Sequence, residues 1–126
     1  MKYIVDSSAW IEYLEGSKLG EKIREIIISE NEIYVLNLII AEVVSKVKRK
    51  NSDAELAYKT IITNSKIIEL TPKIAKEAGL FHSEERKKIR NFGLVDSLIL
   101  VAAKLINAKI VTKDEHLLKF KEAFVI

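Results

Sequence analysis

Apolar residues fall in short blocks separated by polar, Gly or Pro punctuation, and the blocks switch between two periods. Tyr3-Ile4-Val5, bounded by Lys2 and Asp6, predicts a short buried strand over Lys2–Asp6. Ser7 and Ser8 suit a helix cap, and Trp10, Ile11 and Leu14 recur at helical spacing before Gly16 closes the segment. After Gly20 a second helix carries Ile23, Ile26 and Ile27 on one face. Glu32–Leu36 reads as a strand, and Asn37 is placed to cap a helix running to about Lys50. Ser52 is placed to cap the next, from Asp53 onward, with Leu56, Ile61 and Ile62 inward. Lys66–Leu70 is a third strand, and Pro72 opens the helix behind it, where its missing N–H costs nothing. Leu94 to Asn107 is apolar almost all round, which predicts a central, buried helix. Lys109–Thr112 is a fourth strand and Ala123–Ile126 a short fifth.

Strands alternating with helices predict an α/β fold: a three-layer α/β/α sandwich around a central, mostly parallel sheet of four to five strands. The 126 residues, with no repeat, linker or low-complexity stretch, fit one domain over 1–126. In such sheets ligands gather at the carboxyl ends of the strands. That rule directs attention to Asp6 and Asp114, which end or follow the first and fourth strands.

Composition narrows the chemistry. Cysteine is absent, so disulfides, thiolate metal sites and a cysteine nucleophile are excluded. His82 and His116 are the two histidines, which excludes a multi-histidine metal centre, and both read as surface residues. The longest apolar run, Leu98 to Ala103, is far below the ~18 residues of a membrane span. Asp6 interrupts any signal-peptide core, so a soluble, cytoplasmic protein is expected. A net charge of +3 tilts the surface slightly toward anionic partners.

The acids divide unevenly: Asp6, Asp53, Asp96 and Asp114 are the aspartates, against fourteen glutamates. Aspartate is short and stiff and is usually placed for a local reason. Asp96 lies among Leu94, Val95, Leu98 and Ile99, and Glu42 interrupts a run from Leu38 to Val44. Ionised carboxylates in apolar company are costly unless a cation or several donors compensate them. An all-oxygen cluster points to a hard ion, Mg²⁺ or Mn²⁺. Each residue also has a plain structural reading. Asp6 can serve as a turn residue, Asp96 can complement a helix dipole, and Asp114 can cap a short helix bearing Leu117 and Leu118. Glu42 shares a helix face with Ser45, Lys46 and Arg49, so it can also be an ordinary surface pair. Asp53 reads as a helix-start residue and nothing more.

A family resemblance ties these residues together. The opening Tyr-Ile-Val-Asp-Ser-Ser-Ala-Trp-Ile-Glu-Tyr-Leu resembles the first motif of PIN-domain nucleases of the VapC toxin type. Ala41-Glu42-Val43, Gly93-Leu94-Val95-Asp96-Ser97-Leu98-Ile99 and Val111-Thr112-Lys113-Asp114 follow in the family's order over the whole chain. The resemblance implies that Asp6, Glu42, Asp96 and Asp114 form an acidic catalytic and metal-binding quartet, supported by Ser8 and Thr112. It implies an Mg²⁺- or Mn²⁺-dependent endoribonuclease, a small antitoxin protein as partner, and a homodimer to which Trp10 and its apolar neighbours contribute.

Carboxylate-held divalent metal suits phosphodiester hydrolysis, since it acidifies water and neutralises charge on the phosphate oxygens. Asp6 and Asp96 are expected as principal ligands, with Glu42 and Asp114 binding a second ion or orienting waters. RNA phosphates are expected to meet two cationic clusters, one at Lys46, Lys48, Arg49 and Lys50, the other at Arg86, Lys87, Lys88 and Arg90. The rival readings are a free-standing RNA-processing nuclease of the same fold and a non-catalytic RNA-binding module. A signalling receiver domain would carry paired acids after the first strand and a phosphoacceptor Asp after the third. Here those strands end Asp-Ser-Ser and Glu-Leu-Thr.

Overall fold

The computed structural model describes residues 1–117 and 119–125; for Phe124 and Val125 only the backbone is described. Leu118 and Ile126, placed above in a short helix and in the last strand, lie outside the described residues. The strands are β1 (Lys2–Val5), β2 (Glu32–Leu36), β3 (Lys66–Ile68), β4 (Lys109–Thr112) and β5 (Ala123–Val125). The helices are α1 (Ser7–Glu15), α2 (Lys18–Ile28), α3 (Asn37–Arg49), α4 (Ala54–Asn64), α5 (Pro72–Arg86) and α6 (Leu94–Ile106), with a 3₁₀ turn at Glu115–Leu117.

The strands form one sheet in the order β3-β2-β1-β4-β5, and every pairing is parallel. Ile4 lies opposite Tyr34 on one side and Ile110 on the other. Consecutive residues Ile4 and Val5, and likewise Ile110 and Val111, are fully buried. Successive strand residues point to opposite faces, so both faces of the sheet are covered. The helices pack in two groups, α1 to α4 and α5 with α6, giving the three-layer α/β/α sandwich expected.

From β1 the chain builds outward through β2 to β3, then returns to place β4 on the other flank of β1. The strand order therefore reverses between β1 and β4, and a crevice opens there at their carboxyl ends. Helices α1 and α3 start directly after β1 and β2, at that same edge. Helix α6 packs on β1 and β4 and enters β4 through two residues, so it runs antiparallel to β4. Its N-terminus also reaches the crevice.

Several local expectations are corrected. Asp6, not Ser7 or Ser8, is the N-cap of α1, accepting from the Ala9 N–H at 3.1 Å, so β1 ends at Val5. Helix α2 begins before Gly20, capped by Ser17. Gly20 is needed inside the helix because α1 comes so close that a Cβ there would lie 2.1 Å from the Glu12 carbonyl oxygen. Asn37 does not cap α3; its side chain binds the Leu70 N–H and the Glu69 carboxylate, tying the end of β2 to the end of β3. That bridge follows a strand that stops at Ile68 rather than Leu70. Asp53, not Ser52, caps α4. On α4 the inward residues are Ala57 and Ile61, while Leu56 is 59% exposed. Trp10 is wholly buried against Tyr13, which removes it from any subunit surface. Helix α6 is buried from Ser97 to Ala103, but Leu94 and Leu105 at its ends are exposed. Among the described residues no helix is long and apolar enough to cross a membrane.

Candidate active site

Asp6 leaves β1 at the crevice and is 5% exposed. Three donors hold its carboxylate: the Ser8 hydroxyl at 2.7 Å and the Ala9 N–H on Oδ1, and the Thr112 hydroxyl on Oδ2. Thr112 in turn accepts from the Asp114 N–H at 2.9 Å, and Ser8 Oγ from the Lys113 N–H at 3.3 Å. This network stitches the end of β1 to the end of β4. It accounts for hydroxyls at positions 8 and 112 in the polar mouth of an apolar sheet.

Asp96 sits in the first turn of α6, its Oδ2 accepting from the Gly93 N–H at 3.3 Å. Asp114 follows β4, and its Oδ1 accepts from the His116 N–H at 2.9 Å, shaping the 3₁₀ turn. Glu42 projects from α3, and its Oε1 is buried with no hydrogen-bond partner. Burial raises the pKa of Asp6, Glu42 and Asp96 above the usual carboxylate range. Mutual repulsion adds to this. Asp114 acts on Asp6 and Asp96, while Asp6 and Asp96 act on Glu42. The four predicted carboxylates therefore share one electrostatic environment.

One participant was not anticipated. The exposed His116 places a ring nitrogen beside Asp96 and Asp114, with one ligand atom from each of the three residues within 4.8 Å of the others. Read as a surface residue from sequence, it is exposed, but it stands at the site; its position two residues after Asp114 was the available signal. His82 instead bonds the Phe92 carbonyl at 2.9 Å and stacks on the Phe92 ring, away from this cluster.

The donor set is oxygen-rich and the carboxylates repel, two of them have raised pKa values beside the orphaned Glu42 oxygen, and no lysine or arginine pairs with any of the four among the described residues. Such an acidic cluster fits a divalent cation. Positive charge stands close by. Lys46 and Arg49 line a cleft of about 560 Å³ together with Glu42, Ser7 and Ser45. Lys50 is committed to Glu15 at 2.7 Å, and Lys48 is exposed. Arg86 ends α5, and Lys87, Lys88 and Arg90 follow in the loop toward Gly93; of these, Lys87 pairs with Glu84. A larger cleft, about 1030 Å³, lies at the opposite sheet edge among Lys2, Lys104, Lys109 and Lys121, remote from the carboxylates.

A parallel sheet with carboxylates converging at its switch point defines a class of α/β fold whose chemistry sits at the strand ends. Within that class, the PIN domain family model matches residues 3–123, and the chain belongs to the PIN-domain family. No curated protein sequence matches it. Its fold is similar to that of VapBC2 from Rickettsia felis, solved bound to a promoter DNA fragment, with a TM-score of 0.75 and 20% identity, covering 100% of this chain and 98% of that one. It is similar also to a toxin–antitoxin complex from Klebsiella pneumoniae, with a TM-score of 0.76 and 18% identity, covering 97% and 95%. VapC20 of Mycobacterium tuberculosis, described as a Sarcin-Ricin loop cleaving toxin, has a TM-score of 0.71 and 16% identity, covering 86% of each chain.

Proposed function

We propose that this chain is a metal-dependent endoribonuclease and the toxin half of a toxin–antitoxin pair. The observation that carries the reading is the set of carboxylates Asp6, Glu42, Asp96 and Asp114, which act on one another's charge at the β1/β4 crevice, with the Ser7 hydroxyl as the chief offset to Glu42 from its own side of the sheet. Asp6 and Asp96 are the principal ligands for Mg²⁺ or Mn²⁺; Glu42 and Asp114 bind a second ion or orient waters. Bound there, the ion would acidify water and neutralise charge on the scissile phosphate. Ser8, Thr112 and the Ala9 N–H fix both oxygens of Asp6, so that carboxylate needs no reorganisation to act. Lys46 and Arg49, in the cleft that Glu42 lines, hold RNA phosphates, with Arg86, Lys87, Lys88 and Arg90 as the second contact region. The N-termini of α1, α3 and α6 face the same crevice and favour an anionic substrate.

Similarity to solved toxin–antitoxin complexes supports a small antitoxin as partner. A cleft of about 510 Å³ between α1, α3 and α4, with Ile11, Leu14, Val47 and the exposed Leu56 on its floor and Glu15, Lys50 and Asp53 at its rim, suits an amphipathic helix of such a protein. The protein acts as a homodimer through surfaces other than Trp10. Expression of the chain alone should arrest bacterial growth, and co-expression of the small gene adjacent to its own should relieve the arrest. If wild type and Asp6→Asn slow growth equally, the toxicity does not come from this site.

A further inference from the structure

We infer that His116 is a nitrogen ligand to a divalent ion held between Asp96 and Asp114, so that this position selects Mn²⁺ over Mg²⁺. This rests on the carboxylate site proposed above and adds to it a donor of different chemistry. One ring nitrogen of His116 and one carboxylate oxygen each from Asp96 and Asp114 lie within 4.8 Å of one another, a spacing that a single ion can draw together. The three come from two elements, the first turn of α6 and the segment after β4, so the grouping is tertiary rather than an accident of sequence proximity.

The histidine backbone is held in place. Asp114 Oδ1 accepts from the His116 N–H, the Leu117 N–H donates to the Asp114 carbonyl, and Leu117 is fully buried beneath the turn. The ring itself makes no hydrogen bond to another described residue. It is an uncommitted donor facing two carboxylates. His82, by contrast, is committed to the Phe92 carbonyl and serves as an internal control.

Imidazole changes what the site prefers. Mg²⁺ is hard and takes oxygen ligands in strict octahedral geometry, whereas the first-row transition ions, of which Mn²⁺ is the weakest binder, gain from an imidazole nitrogen as Mg²⁺ does not. A carboxylate-only site would discriminate little between Mg²⁺ and Mn²⁺. With one nitrogen added, Mn²⁺ should bind more tightly than Mg²⁺ by about tenfold or more.

The test uses tag-free full-length protein and Mn²⁺ alone. Pulsed electron paramagnetic resonance of bound Mn²⁺ should show ¹⁴N coupling from imidazole in wild type and in His82→Asn. His116→Gln should lose it while still binding Mn²⁺. In calorimetric titrations, His116→Gln should weaken Mn²⁺ binding by about tenfold and Mg²⁺ binding by less than about twofold. Saturable Mn²⁺ binding without ¹⁴N coupling in wild type would overturn the assignment of His116 and leave the carboxylate site standing. Coupling that persists in His116→Gln would also overturn it. No saturable Mn²⁺ binding by wild type would overturn both the assignment and the site.

Discussion

Replacing Asp96 by Asn removes one charge from the cluster while keeping the shape and an oxygen to accept the Gly93 N–H. Asp96 and Asp114 present ligand oxygens within 4.8 Å of each other. Two unit charges at that distance repel by roughly 0.9 kcal/mol at the dielectric constant of water and roughly 3.5 kcal/mol at an effective value of 20. Asp96 is half-buried and salt screens the pair, so the lower part of that range applies. Against it stands the lost interaction with the α6 dipole, about 0.3–1 kcal/mol. The net expectation for Asp96→Asn in EDTA runs from no loss to a gain of about 1.5 kcal/mol, or a Tm rise of up to roughly 6 °C for a domain of this size. At 100 times its Kd, a metal ion that binds only the folded protein adds about 2.7 kcal/mol to wild type. The variant should lose most of that gain. The assay is a pair of thermal melts at one fixed pH, with EDTA and with excess Mn²⁺. A variant destabilised by about 0.3–1 kcal/mol, with the full metal shift retained, would show Asp96 to be a helix-dipole residue outside the site.

Asp6, Glu42 and Asp96 have pKa values raised on folding, so their contribution to stability is fully present below the ordinary carboxylate range and lost as pH rises through the raised values. Glu15 and Glu32 are lowered by Lys50 and Lys66 and act oppositely, at lower pH. Metal-free Tm should therefore peak at mildly acidic pH and fall toward pH 8, and excess Mn²⁺ should abolish the fall; a metal-free Tm that climbs to pH 8 would refute the repulsion. Changing both Lys46 and Arg49 to Ala in an Asp6→Asn background should weaken single-stranded RNA binding and reduce its log–log salt slope by about 1.4, measured by fluorescence anisotropy. An unchanged slope would move the phosphate contacts elsewhere. Gly20→Ala should destabilise by about 2–3 kcal/mol or more in chemical denaturation, because its Cβ meets the Glu12 carbonyl at 2.1 Å. A change below about 0.5 kcal/mol would mean that α1 and α2 separate freely.

Strand and helix order was legible because each element carries its own period and most are punctuated by Gly, Pro or a cap. What sequence misassigned were positions where a side chain answers to a neighbour distant in sequence. Gly20 looked like a stop but is a contact with α1. Asn37 looked like a cap but bridges β2 to the segment after β3. Leu56 has helical spacing that fits burial, yet no element covers it. At the site, the plain and functional readings of the aspartates prove compatible rather than exclusive. Asp6 caps α1, Asp96 binds the Gly93 N–H and Asp114 shapes the 3₁₀ turn, while the three lie close enough to act on one another's charge. Local work of this kind fixes a carboxylate in direction, which a metal-binding cluster requires. Spacing alone does not reveal such convergence, because it depends on β4 returning beside β1. His116 was legible only in part: its spacing from Asp114 is written in the chain, but its relation to Asp96 exists only across α6 and the end of β4.

The central claim is that these carboxylates cleave RNA with the help of a divalent ion. The most direct measurement is cleavage of a labelled single-stranded RNA by purified wild-type protein and by Asp6→Asn, each with Mn²⁺, with Mg²⁺ and with EDTA. Wild type should cut internally with either metal, stop in EDTA and resume when metal is restored, while Asp6→Asn should remain inactive throughout. Undiminished cleavage by wild type in metal-free buffer, or cleavage by Asp6→Asn equal to that of wild type, would contradict the account.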